Sequence, residues 1–234
     1  NGIDSPPPLV DMNAAAPIIM RQGRPLIVHT GRLEWEKGAH TVIEAMPFIH
    51  HAFPDVHLVV AGRGSQQEAL KELAHDKNVA SQVDFTGWLA DAQLRALVRD
   101  ADVAVVPSIY EPFGMVALEA AVLGTPVVAS RAGGLAEFLD NDRHGWSFDA
   151  GNARELANAV ISCVNDAQES RARADRAQSR VLAEHGWASI TERIVGEYRA
   201  TQANALTWGS GARQAVGAWV DDVEINGNLL FDVQ

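Results

Sequence analysis

The chain is short of cysteine, of positive charge and of long hydrophobic runs, and each shortage excludes something. One cysteine, Cys163, leaves no partner for an internal disulfide, so no covalent staple can hold the fold. It lies in the apolar run Val160, Ile161, Cys163, Val164, where it reads as a small buried residue of a reducing compartment, and a cytoplasmic location is expected. Lys and Arg number 19 against 30 Asp and Glu, for a net charge of −11. That balance argues against duplex nucleic acid or an anionic membrane as the main partner, and any anionic ligand must be held locally. The longest apolar stretches, such as Val103 to Val106 and Met115 to Leu123, fall short of the roughly 20 residues a membrane span needs, and no transmembrane segment is expected. The chain starts Asn-Gly-Ile-Asp without a methionine, so a fragment is expected, and any targeting sequence would be lost with the missing part.

What is present is sufficient for one globular domain: 234 residues, 47% hydrophobic and 21% charged. Five of the ten prolines fall between Ser5 and Pro25, and residues 1–25 read as a linker. A domain over 26–200 follows. Short apolar runs at Leu26 to His29, Val56 to Val60, Val83 to Thr86, Val103 to Val106 and Pro126 to Ala129 predict strands covered on both faces. Helical spacings alternate with them, and Pro47 is expected to kink or restart the first helix. The alternation predicts an α/β fold with a doubly wound, mainly parallel, Rossmann-like sheet and a helical C-terminal region. After about Gly151 the pattern is all helical, ending in Trp187, Ile190, Ile194 and Tyr198 at the spacing of a closing helix. Arg171, Arg173, Arg176 and Arg180, interleaved with Glu169 and Asp175, read as a solvated helix face. Residues 201–234 form a tail of unknown role, with a possible hairpin at Asn226-Gly227.

Parallel strands joined by right-handed crossovers put their carboxyl ends on one edge. Each unusual segment follows a strand: Gly31 to Gly38, Gly62-Arg63-Gly64, Gly87-Trp88-Leu89, Pro107 to Gly114 and Ser130 to Gly134. Gly114 opens a helix whose first amides, on Met115 and Val116, face the crevice and suit a phosphate. Arg32 and Lys37, on a glycine-bounded turn, can reach the same place, and together these groups can hold a diphosphate. Glu111, in the loop, can accept hydrogen bonds from sugar hydroxyls, and Glu119, on the helix, from a ribose diol. Read singly, these are turn glycines, exposed charges and a pre-proline turn residue; their convergence favours a site. Asp140-Asn141-Asp142 has the spacing of a metal-binding pair and reads as a surface turn.

These pieces, in this order, resemble the C-terminal domain of retaining GT-B glycosyltransferases, the family-4 group and the nearby glycogen synthases. The resemblance rests on Asn1-Gly2-Ile3-Asp4, Gly31-Arg32-Leu33 with Lys37-Gly38, Gly62-Arg63-Gly64, Ala101-Asp102-Val103 leading into Pro107-Ser108, and above all Glu111 to Ala120 with two glutamates eight apart. Gly124-Thr125-Pro126-Val127-Val128 and Gly133-Gly134 complete it.

The resemblance implies one half of a GT-B fold that takes a nucleotide-sugar donor. Arg32 and Lys37 would then clamp the diphosphate beside Gly31 and Arg63, and Glu111 would contact the sugar. Phe113, Gly114, Met115 and Val116 would offer amides, Glu119 would hold the ribose, and Leu89 would lie against the base. It also implies no cofactor and no metal, with UDP-glucose or ADP-glucose as the first donors to consider. An N-terminal domain binding a glycan or small-molecule acceptor belongs to the pattern and is not in this sequence, so the chain alone is expected not to turn over. A sugar-nucleotide epimerase of the same plan, or a non-catalytic nucleotide-binding module, is the alternative.

Overall fold

The computed structural model describes Ile3 and residues 25–205, the side chains of 203–205 excepted. The linker reading of residues 4–24 and the hairpin at Asn226-Gly227 lie outside the described residues. Six strands alternate with helices: β1 (Leu26–Thr30), α1 (Ala39–Ala52), β2 (His57–Ala61), α2 (Gln67–Asp76), β3 (Val83–Gly87), α3 (Asp91–Asp100), β4 (Val103–Val106), α4 (Met115–Val122), β5 (Val127–Ser130), α5 (Gly134–Leu139) and β6 (Trp146–Phe148). Three helices close the described chain, α6 (Ala153–Asn165), α7 (Ala167–His185) and α8 (Trp187–Ala205). Two compact units result, one of Ile3–Ala183 and one including the residues from Glu184 onward. The first holds the sheet and the site; the second holds α8, formed over the stretch where the sequence placed a helix.

All strand pairings are parallel, in the order β3-β2-β1-β4-β5-β6, which is the doubly wound arrangement expected. Alternation along the strands splits their side chains between two apolar layers. Ile27, Leu58, Val60, Val103, Val105 and Val128 pack with Val42, Ile43 and Met46 of α1 and Leu156 and Val160 of α6. Val28, Val59, Ala104, Val106, Val127 and Ala129 pack with Ala117 and Ala121 of α4, Leu135 of α5 and Val181 of α7. Ile3, within the stretch read as linker, is buried in this second layer.

Three features differ from the sequence reading. The helix α1 runs on through Pro47 instead of restarting. Proline there removes the amide that would bond Ile43, at a cost of about 3 kcal/mol. Val42, Ile43, Ala45, Met46 and Ile49 are all essentially fully buried on the same helix, and at about 1.5–3 kcal/mol for each large side chain they outweigh that loss. The strand β6 was not anticipated, because three residues are too short to show a period; it pairs with β5 from Val128↔Trp146 to Ser130↔Phe148.

The arginine cluster is a docking seam and not merely a solvated face. The Arg173 guanidinium lies 3.9 Å from the Trp146 ring centroid and its Nη1 donates to the Gly145 carbonyl at 2.8 Å. Arg176 donates to the Arg143 carbonyl at 3.0 Å and Arg180 to that of Glu137 at 3.2 Å, while Arg171 stays exposed beside Asp175. Three arginines thus tie α7 to the segment before β6. Cys163 is buried, as expected, and burial pushes its thiol up to about 11, which leaves it inert. Arg173→Ala is expected to lower the unfolding free energy by about 1–2 kcal/mol through loss of the ring contact and the carbonyl bond. Urea denaturation checks this, and a change within about 0.5 kcal/mol, ordinary for a surface position, would restore the solvated-face reading.

Candidate functional site

The strand order reverses between β1 and β4, so the loops leaving those two strands diverge and leave a crevice at their carboxyl ends. One loop is 31–38 and the other 107–114. Their backbones are locked together. Gly38 sits at φ 70°, and a Cβ there would run into the Pro107 carbonyl, so only glycine allows this approach. The Glu36 carbonyl accepts from the Ile109 amide at 2.8 Å. From the far side, Gly134 donates to the Glu111 carbonyl at 3.0 Å, and a Cβ at Gly133 would collide with that same carbonyl.

Glu111 is the meeting point. Lys37 Nζ donates to its Oε2 at 2.8 Å, and Ser108 Oγ donates to the same oxygen at 3.2 Å. Its Oε1 accepts from the Gly114 amide at 3.2 Å, at the N-cap of α4. Burial by itself would raise this carboxyl. The hydrogen bonds from Lys37, Gly114 and Ser108, together with the Lys37 charge, outweigh burial and hold it below the ordinary carboxylate value. The Met115 and Val116 amides, at the first two positions of α4, have no intrahelical acceptor, and no partner for them is found among the described residues. The crevice therefore contains a cation, a buried carboxylate and two free amides at the positive end of a helix.

The remaining expected residues are distributed around this centre. Arg32 lies on the same loop as Lys37 but on its exposed side, with Nη2 3.2 Å from Glu36 Oε1; among the described residues it has no hydrogen bond or ion pair to Glu111 or Gly114. Gly31, at the start of that loop, donates its amide to the Ala61 carbonyl at 3.0 Å. Arg63 is exposed, and its Nε lies over Gly87 at the end of β3. Leu89 is half-buried against the second apolar layer, as are Met115 and Val116. Phe113 is exposed. Glu119 presents an exposed residue surface, yet burial of its carboxyl raises the pKa; Arg95 opposes this and Asp91 adds to it. Asp140, Asn141 and Asp142 all adopt left-handed backbone after α5, the conformation of a turn.

Two groups escaped the sequence reading. Ser108 was visible only as part of a Pro-Ser motif, with no role attached. His29 was read as one residue of an apolar strand; it is buried, with Nδ1 3.2 Å from the Val105 carbonyl. Burial, with the nearby Lys37 charge, lowers its pKa from 6.5 to about 4, partly offset by the Val105 bond.

A family model described as glycosyl transferases group 1 matches residues 15–180. The chain is 39% identical over 182 residues to a glycogen synthase of Mycobacterium tuberculosis, covering 78% of this chain and 44% of that protein. It is 32% identical to a GDP-mannose-dependent phosphatidylinositol monomannoside mannosyltransferase of the same organism, covering 77% of this chain and 49% of that protein. Among solved structures, sucrose-phosphate synthase from Thermosynechococcus elongatus is similar with a TM-score of 0.75 and 30% identity, over 87% of this chain and 52% of that one. HepE from Anabaena, crystallised with UDP and glucose, has a TM-score of 0.72 and 28% identity, over 84% of this chain and 55% of that one. The chain thus spans about half the length of the relatives it matches.

Two outcomes follow from the geometry. Lys37→Met leaves a buried carboxylate without its cation and is expected to cost about 2–4 kcal/mol at neutral pH. Because Glu111 titrates below its ordinary value in the fold, the pair's contribution is present above the carboxylate range and fades as pH falls through the folded value. Urea curves at pH 7 and pH 4 should therefore show a smaller gap between variant and wild type at pH 4. For His29 the folded pKa lies below the unfolded one, so the unfolded chain takes up the extra proton as pH falls from 6.5 to about 4. Stability is expected to fall across that window by on the order of 3 kcal/mol. His29→Phe should remove that part of the pH slope, and equal slopes in the two proteins would contradict it.

Proposed function

The chain belongs to the family of glycosyl transferases group 1, and from that premise we propose that it is the donor-binding half of a retaining, metal-independent hexosyltransferase. The donor is a nucleoside diphosphate sugar, glucose before mannose, and the acceptor is a glycan or other hydroxyl compound bound by a further domain. The observation that carries this reading is the meeting of Lys37 with the start of α4 on Glu111, where loops from β1 and β4 converge.

A diphosphate entering the crevice finds the free Met115 and Val116 amides and the Lys37 ammonium. A helix terminus acts as roughly half a positive charge, and with a lysine beside it the negative charge gathering on the departing diphosphate is stabilised. Arg32 can join them at little cost, since its pair with Glu36 is exposed and such pairs contribute only about 0–1 kcal/mol. Two cations and a helix end supply what a divalent metal supplies elsewhere. As Lys37 turns toward phosphate, the Glu111 carboxylate is freed to accept from the hydroxyls of the sugar. Glu119, on the second turn of α4, takes the ribose diol, and its raised pKa suits a carboxylate awaiting hydrogen-bond donors. The acceptor then attacks the face the diphosphate leaves.

The preference for glucose draws support from the glycogen synthase likeness and from HepE, whose crystals held UDP and glucose. The mannosyltransferase likeness makes GDP-mannose the runner-up. A reducing, cytoplasmic setting accords with the buried, unpaired Cys163. Among the described residues no helix is long and apolar enough to cross a membrane.

Isothermal titration of the chain with UDP, ADP and GDP in EDTA tests the proposal. At least one nucleotide is expected to bind with a dissociation constant below about 1 mM, and Lys37→Met, shown to be folded, should weaken it by about tenfold. Heats that stay flat to millimolar nucleotide for all three would overturn it.

A further inference from the structure

The strands β1 and β4 part early. Among the described residues their register runs only over Ile27↔Val103 and Val28↔Ala104, whereas β1 stays paired with β2 as far as Thr30↔Ala61. The next positions along the parting strands are His29 and Val105. There the connection is made by a side chain, with the His29 ring nitrogen Nδ1 3.2 Å from the Val105 carbonyl. A carbonyl can only accept, and burial keeps the ring neutral, so the proton sits on Nδ1 and the ring donates.

Stability alone gives no reason for histidine here. The ring is 2% exposed, and its Nε2 has no partner among the described residues, which is a cost that a phenyl ring of similar size would avoid. What histidine adds is the single Nδ1–H donor that reaches β4. On either side of this bridge the chain enters the two functional loops almost at once, through Thr30 on β1 and Val106 on β4. Those loops carry Lys37 and Glu111, which meet at 2.8 Å.

We propose that His29 is a positioning residue of the site: its Nδ1–H to the Val105 carbonyl sets the spacing of the strands where they diverge, and so holds the Lys37 loop against Glu111 and the start of α4. Its consequence for donor binding rests on the function proposed above, while its consequence for the Lys37–Glu111 pair does not. Asparagine places its amide nitrogen where Nδ1 stands and keeps the donor. Glutamine places its amide near Nε2, and phenylalanine has none.

The test follows the Glu111 carboxyl by 13C NMR titration of the full chain, with the resonance identified by its loss in Glu111→Gln, in wild type and in His29→Asn, His29→Gln and His29→Phe. Glu111 is expected to titrate below the ordinary value in wild type and His29→Asn, and to move up toward it in His29→Gln and His29→Phe. If His29→Phe does not fold, the contrast of Asn with Gln carries the test. An unmoved Glu111 in the variants without the donor overturns the proposal, as does an equal rise in His29→Asn, which would mean the donor is not the device. UDP titration of the same proteins separates the two readings. About tenfold weaker binding by His29→Gln, with His29→Asn close to wild type, extends the brace to the donor. A wild type that ignores UDP, while Glu111 still responds to His29, keeps the brace and removes the donor-binding reading.

Discussion

Lys37 and Glu111 lie 74 residues apart in sequence and meet at 2.8 Å across the divergence of β1 and β4. A buried carboxylate is costly unless it is paired and hydrogen-bonded. Here all of its needs are met locally, by an ammonium, a serine hydroxyl and the amide that opens α4. The carboxylate in turn fixes Lys37 beside the free amides of the helix. On the function proposed, an incoming anion would compete with Glu111 for the same cation and the same helix end.

The rest of the domain makes that meeting possible. Parallel strands buried on both faces bring the loop ends to one edge, and the two apolar layers hold them rigid. Glycines then remove the side chains that would keep the loops apart, at Gly38 against Pro107 and at Gly133 against Glu111. The three arginines of α7 do similar work beside β6, closing the helix onto the segment before that strand. Both devices use groups that look like surface features in a linear reading.

Electrostatics in this chain is local. A net charge of −11 gives no general attraction for an anion. The positive charge of the crevice comes from one half-buried lysine and a helix terminus, placed where water is partly excluded and charges act more strongly. Burial by itself would raise both glutamates, and their donors set them apart. Glu111 is held down by its donors, and Glu119, lacking them, is held up by burial.

By itself the sequence determined the fold class, five of the six strands and the loops that carry the site, because continuous apolar runs and glycine-bounded loops are local signals. It also marked Arg32 and Lys37, with Glu111 and Gly114, as belonging together, and the structure joins all of these but Arg32. The helix does not restart at Pro47, and the arginine cluster is more than a solvated face, because these outcomes depend on what α1 buries and on what α7 lies against. β6 was missed because Trp146 to Phe148 is a strand only by virtue of its neighbour β5. Only tertiary structure decided that Glu111 pairs with Lys37 while Arg32 faces solvent, and that His29 spans the gap to Val105. Those are distances across strands far apart in the chain, and no spacing along a sequence encodes which of two nearby cations a folded loop turns inward.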